Sequence, residues 1–294
     1  MLNFNVATWL LSGLTVLGVI LRPMRWPEWI FAVTGAALLV VAGLLPWREA
    51  LTGIAAGTDV YLFLVGMMLL AETARREGLF DVLAAHAARS ARGSPRRLFT
   101  LIYLIGTLVT VFLSNDATAV VLTPAVIAVA RVAQVTSPIP YLLICAFVAN
   151  AASFVLPISN PANLVVFGES LPSLGAWLSR FALPSLLAVV ATFYLLRWTQ
   201  RSDLVGTTHT DVVIPPLSLG GRIAAAGLAA GGVALLSASA LGFELGPPTL
   251  AAGLITALAV TLGERSNPLA LMKEISWDTL ALVAGLFVIV RALE

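Results

Sequence analysis

The stretch Phe112-Leu-Ser114-Asn115-Asp116-Ala-Thr118-Ala-Val-Val-Leu-Thr123-Pro124 interrupts two uncharged apolar arms that together cover about residues 98–130. Unsatisfied backbone groups are excluded from hydrocarbon, so such a tip must sit inside protein or line a wet cavity. Arg96 and Arg97 precede the first arm and Arg131 follows the second. Either two short spans or a re-entrant hairpin satisfies that flanking. At 33 residues the segment is short for two crossings of about 20 residues each, which favours the hairpin.

The rest of the chain supplies the setting. Of its 294 residues 59% are hydrophobic and 11% charged, whereas a soluble domain carries roughly 25% charged residues. Further apolar stretches fall near 6–21, 28–46, 60–74, 141–168, 174–198, 219–243, 247–263 and 278–293, with breaks rich in Pro, Gly or charge. The chain therefore reads as an all-α polytopic membrane protein. Soluble enzymes and nucleic-acid binders are excluded. Cys145 is the single cysteine, so no disulfide framework or thiolate metal cage can form within the chain. No His-Glu-x-x-His, no Gly-x-Ser-x-Gly and no paired membrane aspartates occur, which speaks against an intramembrane enzyme.

Fourteen Lys and Arg residues, from Arg22 and Arg25 through Arg265 and Lys273, fall on one side of the spans; Arg48, Arg180 and Arg291 fall on the other. The positive-inside rule makes the first side cytoplasmic and the N-terminus external. The segment Asp59-Val-Tyr-Leu-Phe-Leu-Val-Gly66 matches Asp278-Thr-Leu-Ala-Leu-Val-Ala-Gly285, 219 positions later (278 less 59). On this topology the two copies run in opposite senses, as in inverted-repeat transporters. The expected division is a first repeat at 1–200, with closing span 174–198, a linker at 201–218, and an incomplete second repeat at 219–294. A complete pair needs roughly 420 residues, so the chain is expected to be a fragment.

A second break, Ala149-Asn150-Ala-Ala-Ser153-Phe-Val-Leu-Pro157-Ile-Ser159-Asn160-Pro161-Ala-Asn163, lies in the segment 141–168. Pro157 and Pro161 remove two backbone donors and disfavour helix at Asn160. The helix should unwind around Pro157–Asn160 and restart with Asn160 as its cap. The bland alternative is a kinked helix whose Asn and Ser side chains satisfy the freed carbonyls. The two breaks share Ser-Asn-x-Ala followed by a small polar residue. Together they offer amides, hydroxyls and one acid, which suits a small polar or anionic solute better than a divalent-metal cage. An Asp between uncharged arms costs at least about 2.5 kcal/mol at mid-bilayer, and such residues are usually functional. Capping the second arm is its bland reading.

The Ser114-Asn115-Asp116-Ala-Thr118 tip, the Pro157-Ile-Ser-Asn-Pro-Ala-Asn163 break and the order of helices resemble the arsenite permease family and, more widely, the ion-transporter superfamily, which includes sodium/proton antiporters and dicarboxylate or citrate carriers. The resemblance implies two inverted repeats, each with a re-entrant hairpin and an interrupted helix, and a substrate between the hairpin tips. It places Ser114, Asn115, Asp116 and Thr118 at the first tip and Ser159, Asn160 and Asn163 in the first unwound helix; Asn150 and Ser153 line the same break. It further implies proton-coupled export of arsenite and antimonite without a cofactor, and some such permeases work with a cytosolic arsenite-stimulated ATPase. Asp116 is the acid placed well inside the membrane and the candidate proton carrier. Glu72 is the weaker candidate, with snorkelling as its bland reading. Asp59 and Asp278 are expected to be helix caps, His86 and His209 to lie in polar loops, and the arginines of 75–97 to set orientation and touch lipid.

Overall fold

The computed structural model describes residues 4–167, 171–210, 212–264, 271, 273 and 275–294, excepting the side chains of Phe4 and Asp116. Among the described residues every regular element is helical. The helices are α1 (Phe4–Leu21), α2 (Glu28–Val41), α3 (Trp47–Ala56), α4 (Thr58–Arg76), α5 (Leu79–Ser90), α6 (Pro95–Phe112), α7 (Asn115–Ala117), α8 (Thr123–Val132), α9 (Ile139–Ala151), α10 (Pro161–Phe167), α11 (Leu174–Thr199), α12 (Leu219–Leu241), α13 (Gly246–Glu264) and α14 (Trp277–Leu293). Helices α6, α11, α12 and α13 are each long and apolar enough to cross a membrane, and α3 with α4, bent by 46°, makes a fifth candidate. The chain is an all-helical polytopic membrane protein.

Residues 1–62 and 276–294 form one compact unit and residues 63–275 another, the boundary falling within α4. In the first unit, Leu39 and Ala36 of α2 pack with Ala50 of α3 and with Val288 and Ile289 of α14. A side chain at Gly285 would run into the backbone of Ala32. Arg291 pairs with Glu49 at 2.7 Å.

In the second unit, Leu69 of α4 packs with Ala257 of α13 and with Leu271 and Ile275. A side chain at Gly66 would run into the backbone of Thr249 and Leu250. Adding 219 to the bounds of α1 and α2 gives 223–240 and 247–260, close to α12 and α13. The same shift carries Gly66 to Gly285, and Ala32 to position 251, beside Leu250. Matched glycines thus accept matched helices in the two units. Residues 201–210 and 212–218 lie within the second unit.

Three segments meet at one end of the second unit. Ser218 caps α12 by accepting from the Gly221 amide at 2.8 Å and donates to Glu77 at 2.9 Å. Glu264 accepts from the Gly220 amide at 3.1 Å. Burial pushes the Glu77 carboxyl pKa up, and the nearby Glu264 charge acts in the same direction, against the Ser218 hydrogen bond.

Several expectations need correction. His86 does not lie in a polar loop, because α5 covers 79–90 and buries Phe80, Ala84, Ala85, Ala87 and Ala88. His86 accordingly lies on a helix, its ring Nδ1 2.8 Å from the Val82 carbonyl oxygen. Asp59 and Asp278 are not N-caps; each lies in the first turn of its helix, where a negative charge complements the helix dipole. Glu72 is buried and held by Arg75 at 2.6 Å and Arg76 at 3.1 Å, so it is an ion-paired acid rather than one that snorkels to water. Arg265 and Gly168 lie outside the described residues.

The two matched contacts generate a prediction. Gly66→Leu and Gly285→Leu should each destabilise the protein by about 1–3 kcal/mol through overpacking, whereas Gly13→Leu, which meets nothing within 4 Å, should not. Thermal unfolding in detergent separates the three.

Candidate functional site

The hairpin is built from both ends. Helix α6 is capped by Ser94, whose hydroxyl accepts from the Arg97 amide at 3.4 Å. The returning leg runs from α7 through a π-helical turn, Thr118–Leu122, into α8. The Thr110 and Thr118 hydroxyls meet at 2.7 Å, and Gly106 faces Leu122, so the legs pair antiparallel about Ser114. Their outer ends also meet. The Thr208 amide donates to the Gly93 carbonyl at 3.0 Å and the His209 amide to the Ala133 carbonyl at 2.9 Å, so one short strap closes both legs. Helix α5 packs against each. The legs are longer than the segment 98–130 suggested: α6 alone has 18 residues, about 27 Å. The short-segment argument for a re-entrant hairpin therefore fails, and the pairing of the legs suits two spans as well as a re-entrant hairpin.

Ser114 turns the chain with φ 137° and ψ 166°, a region that glycine alone occupies without strain. Its hydroxyl accepts from the Ala117 amide at 3.3 Å. Thr118 is fully buried and lies in the π-turn, a deviation frequent at functional sites. Asn115 is half-buried. The side chain of Asp116 lies outside the described residues.

At the second break the regular helix ends at Ala151, six residues before Pro157, so the unwinding starts earlier than expected. Pro157–Ser159 forms one 3₁₀ turn and Asn160 is extended. Asn160 Oδ1 accepts from the Ala162 amide at 2.9 Å, which makes it the expected cap of α10. Asn163 is buried and its Nδ2 donates to the Ser153 and Pro157 carbonyls at 3.1 and 3.2 Å. Ser153 donates to Ala149 at 2.6 Å, and Asn150 is exposed and donates to Ala146 at 3.0 Å. The kinked-helix account thus explains Asn163 and Ser153 without a ligand.

Ser159 joins the two breaks. Its hydroxyl accepts from the Leu156 amide at 3.1 Å and donates to the Val111 carbonyl on α6 at 3.0 Å. Two further residues went unread in the sequence. Thr110 lies one helical turn before the tip, a spacing that in hindsight points to a partner across the hairpin. Trp177 is fully buried and its indole N–H donates to the Phe154 carbonyl at 3.0 Å; no sequence signal links those positions. Between residues 98 and 130 the one formally charged side chain is Asp116, and residues 139–167 carry none. The arrangement therefore presents hydroxyls and amides with a single acid.

Ser159→Ala should leave the Leu156 amide and the Val111 carbonyl unsatisfied and cost about 1–3 kcal/mol. Asn150→Ala should be nearly neutral. Unfolding in detergent compares them directly.

The chain matches the family model described as citrate transporter over residues 16–294. It is 30% identical over 274 residues to an uncharacterized transporter of Mycobacterium tuberculosis, covering 89% of this chain and 62% of that protein. An inner membrane protein of Escherichia coli, YbiR, is 32% identical over 153 residues, 52% of this chain and 40% of that one. The arsenical pump membrane protein of Escherichia coli is 27% identical over 214 residues, 69% and 48% of the two chains. The chain thus spans about three fifths of the mycobacterial relative's length. A match over nearly its whole length, on a helical membrane fold, assigns this chain to the citrate transporter family.

Proposed function

We propose that the chain is the core of a secondary transporter that exports arsenite and antimonite across the cytoplasmic membrane against inward proton flow, with its N-terminus outside. The observation that carries this reading is the meeting of the hairpin with the broken helix through Ser159 and Val111, in segments whose one formally charged side chain is Asp116. Arsenous acid is uncharged at neutral pH and presents three hydroxyls, so hydroxyl, amide and backbone partners suit it as they suit a polyol. Ser114, Asn115, Thr118, Asn150, Ser153, Ser159, Asn160 and Asn163 supply those partners in this proposal, Asn150 being exposed and Asn115 and Asn160 half-buried. Similarity to a protein named as an arsenical pump supports the same solute. Asp116 carries the proton in this proposal, and a proton crossing with the field releases about 2.3 kcal/mol per 100 mV, more than the roughly 1.4 kcal/mol of a tenfold solute gradient.

The description of the family model favours a second reading, an organic-anion carrier for citrate or a dicarboxylate. Such a solute needs a cationic partner, which neither broken segment carries. A sodium/proton antiporter is the third member of this set, and it would need more acids facing Asp116.

Everted membrane vesicles decide among these. Arsenite should accumulate when a proton gradient is imposed, and Asp116→Asn should abolish that accumulation while leaving membrane insertion intact. Unchanged uptake in the variant would remove Asp116 from the coupling, and gradient-driven citrate uptake in place of arsenite would establish the second reading. In intact cells, Asn160→Ala should lower arsenite resistance at normal expression. Asn160→Ser, which retains a capping oxygen, should keep the fold without recovering resistance; recovery would mean that Asn160 only caps α10.

A further inference from the structure

Arg92, Arg96, Arg97 and Arg197 line one open cavity of about 430 Å³, together with Thr100 and Leu101. They come from three places: the turn after α5, the first turn of α6 and the last turn of α11. Among the described residues none of the four has a carboxylate partner within 4 Å. This contrasts with Arg22, Arg75, Arg76 and Arg291, each of which is paired. Arg96 and Arg97 also occupy the positive end of the α6 dipole, where no acid offsets them. Four like charges converging on a helix N-terminus repel one another, and an anion placed among them relieves that repulsion.

The surface below the cavity narrows the identity of that anion. On α6 the spacing of Arg97, Leu101, Leu104 and Leu108 puts them on one face, and Leu104 and Leu108 are more than half exposed. On α11 the residues preceding Arg197 on its face, Tyr194, Val190, Leu187 and Leu183, are exposed too, all but Val190 by more than half. The two helices pack on each other. An arginine-lined head position therefore crowns two apolar stripes. Inorganic phosphate would use the arginines alone, whereas a phospholipid would use both features.

We propose that this cavity binds the phosphate of an anionic phospholipid such as phosphatidylglycerol, with its acyl chains along the exposed stripes of α6 and α11. The phosphate takes charge-assisted hydrogen bonds from the guanidinium groups. Because Arg92 and Arg96 flank the turn that opens the hairpin, the bound lipid holds the fixed end of that element.

The purified full chain in detergent tests this by mass-spectrometric retention of phosphatidylglycerol and by thermal unfolding with added lipid. Phosphatidylglycerol should bind and raise the unfolding temperature; phosphatidylcholine and inorganic phosphate should not. Arg96→Gln with Arg197→Gln should weaken phosphatidylglycerol binding about 30-fold. Arg25→Gln with Arg180→Gln removes equal charge elsewhere and should leave binding unchanged. If the first pair fails to fold, Arg92→Gln with Arg97→Gln carries the same expectation. Binding undiminished by the cavity variants, an equal loss in the Arg25/Arg180 control, or an equal shift with inorganic phosphate would each overturn the proposal.

Discussion

Between Ala152 and Asn160 the backbone leaves the helix, and inside a membrane it has no water to bond to. That constraint explains most of the polar side chains around the break. Asn163 turns its amide onto two freed carbonyls, Trp177 reaches a third from α11, and Asn160 closes the restarting helix. Pro157 and Pro161 have no amide hydrogen to satisfy. The break is thus a bonded structure rather than a soft spot, and its side chains serve the backbone before they can serve any solute.

The hairpin tip meets the same constraint differently. One residue, Ser114, absorbs the reversal in a conformation unfavourable for any side chain, and such strain persists only where the surroundings over-determine it. Here those surroundings are the Thr110–Thr118 contact between the legs, the Ala117 amide on the Ser114 hydroxyl and the strap that binds both outer ends. The candidate residues then separate by exposure. Ser114, Thr118, Ser153, Ser159 and Asn163 are buried, Asn115 and Asn160 are half-buried, and Asn150 is exposed on its own helix.

What could be read without coordinates was whatever the local chain carries. Pro157, Pro161 and Asn160 announce an unwound and restarted helix because proline chemistry acts within a turn or two. The antiparallel legs follow from arginines at both ends of one apolar segment, although the length of that segment misled. Helix α5 was legible in principle, since Phe80, Ala84, Ala87 and Ala91 keep helical spacing. Alanine, however, is a weak hydrophobic signal beside a run of arginines. The Ser159–Val111 and Trp177–Phe154 bonds span 48 and 23 residues, and no local pattern encodes them. They fix the site, and they are the part that sequence reasoning lacks.

Those long-range bonds also limit how the site can move. The outer ends of the hairpin are tied to residues 208 and 209, and α6, one turn from the tip, is tied to Ser159. Ser159 in turn closes the 3₁₀ turn that Asn163 braces from the restarted helix. A displacement of the tip therefore carries the broken helix with it, because breaking the Ser159 bond would strand a buried amide and a buried carbonyl at once. Motion of the hairpin alone is costly. Motion of hairpin and break as one body keeps the Ser159 bonds, and α11 must move with them for Trp177 to stay on the Phe154 carbonyl.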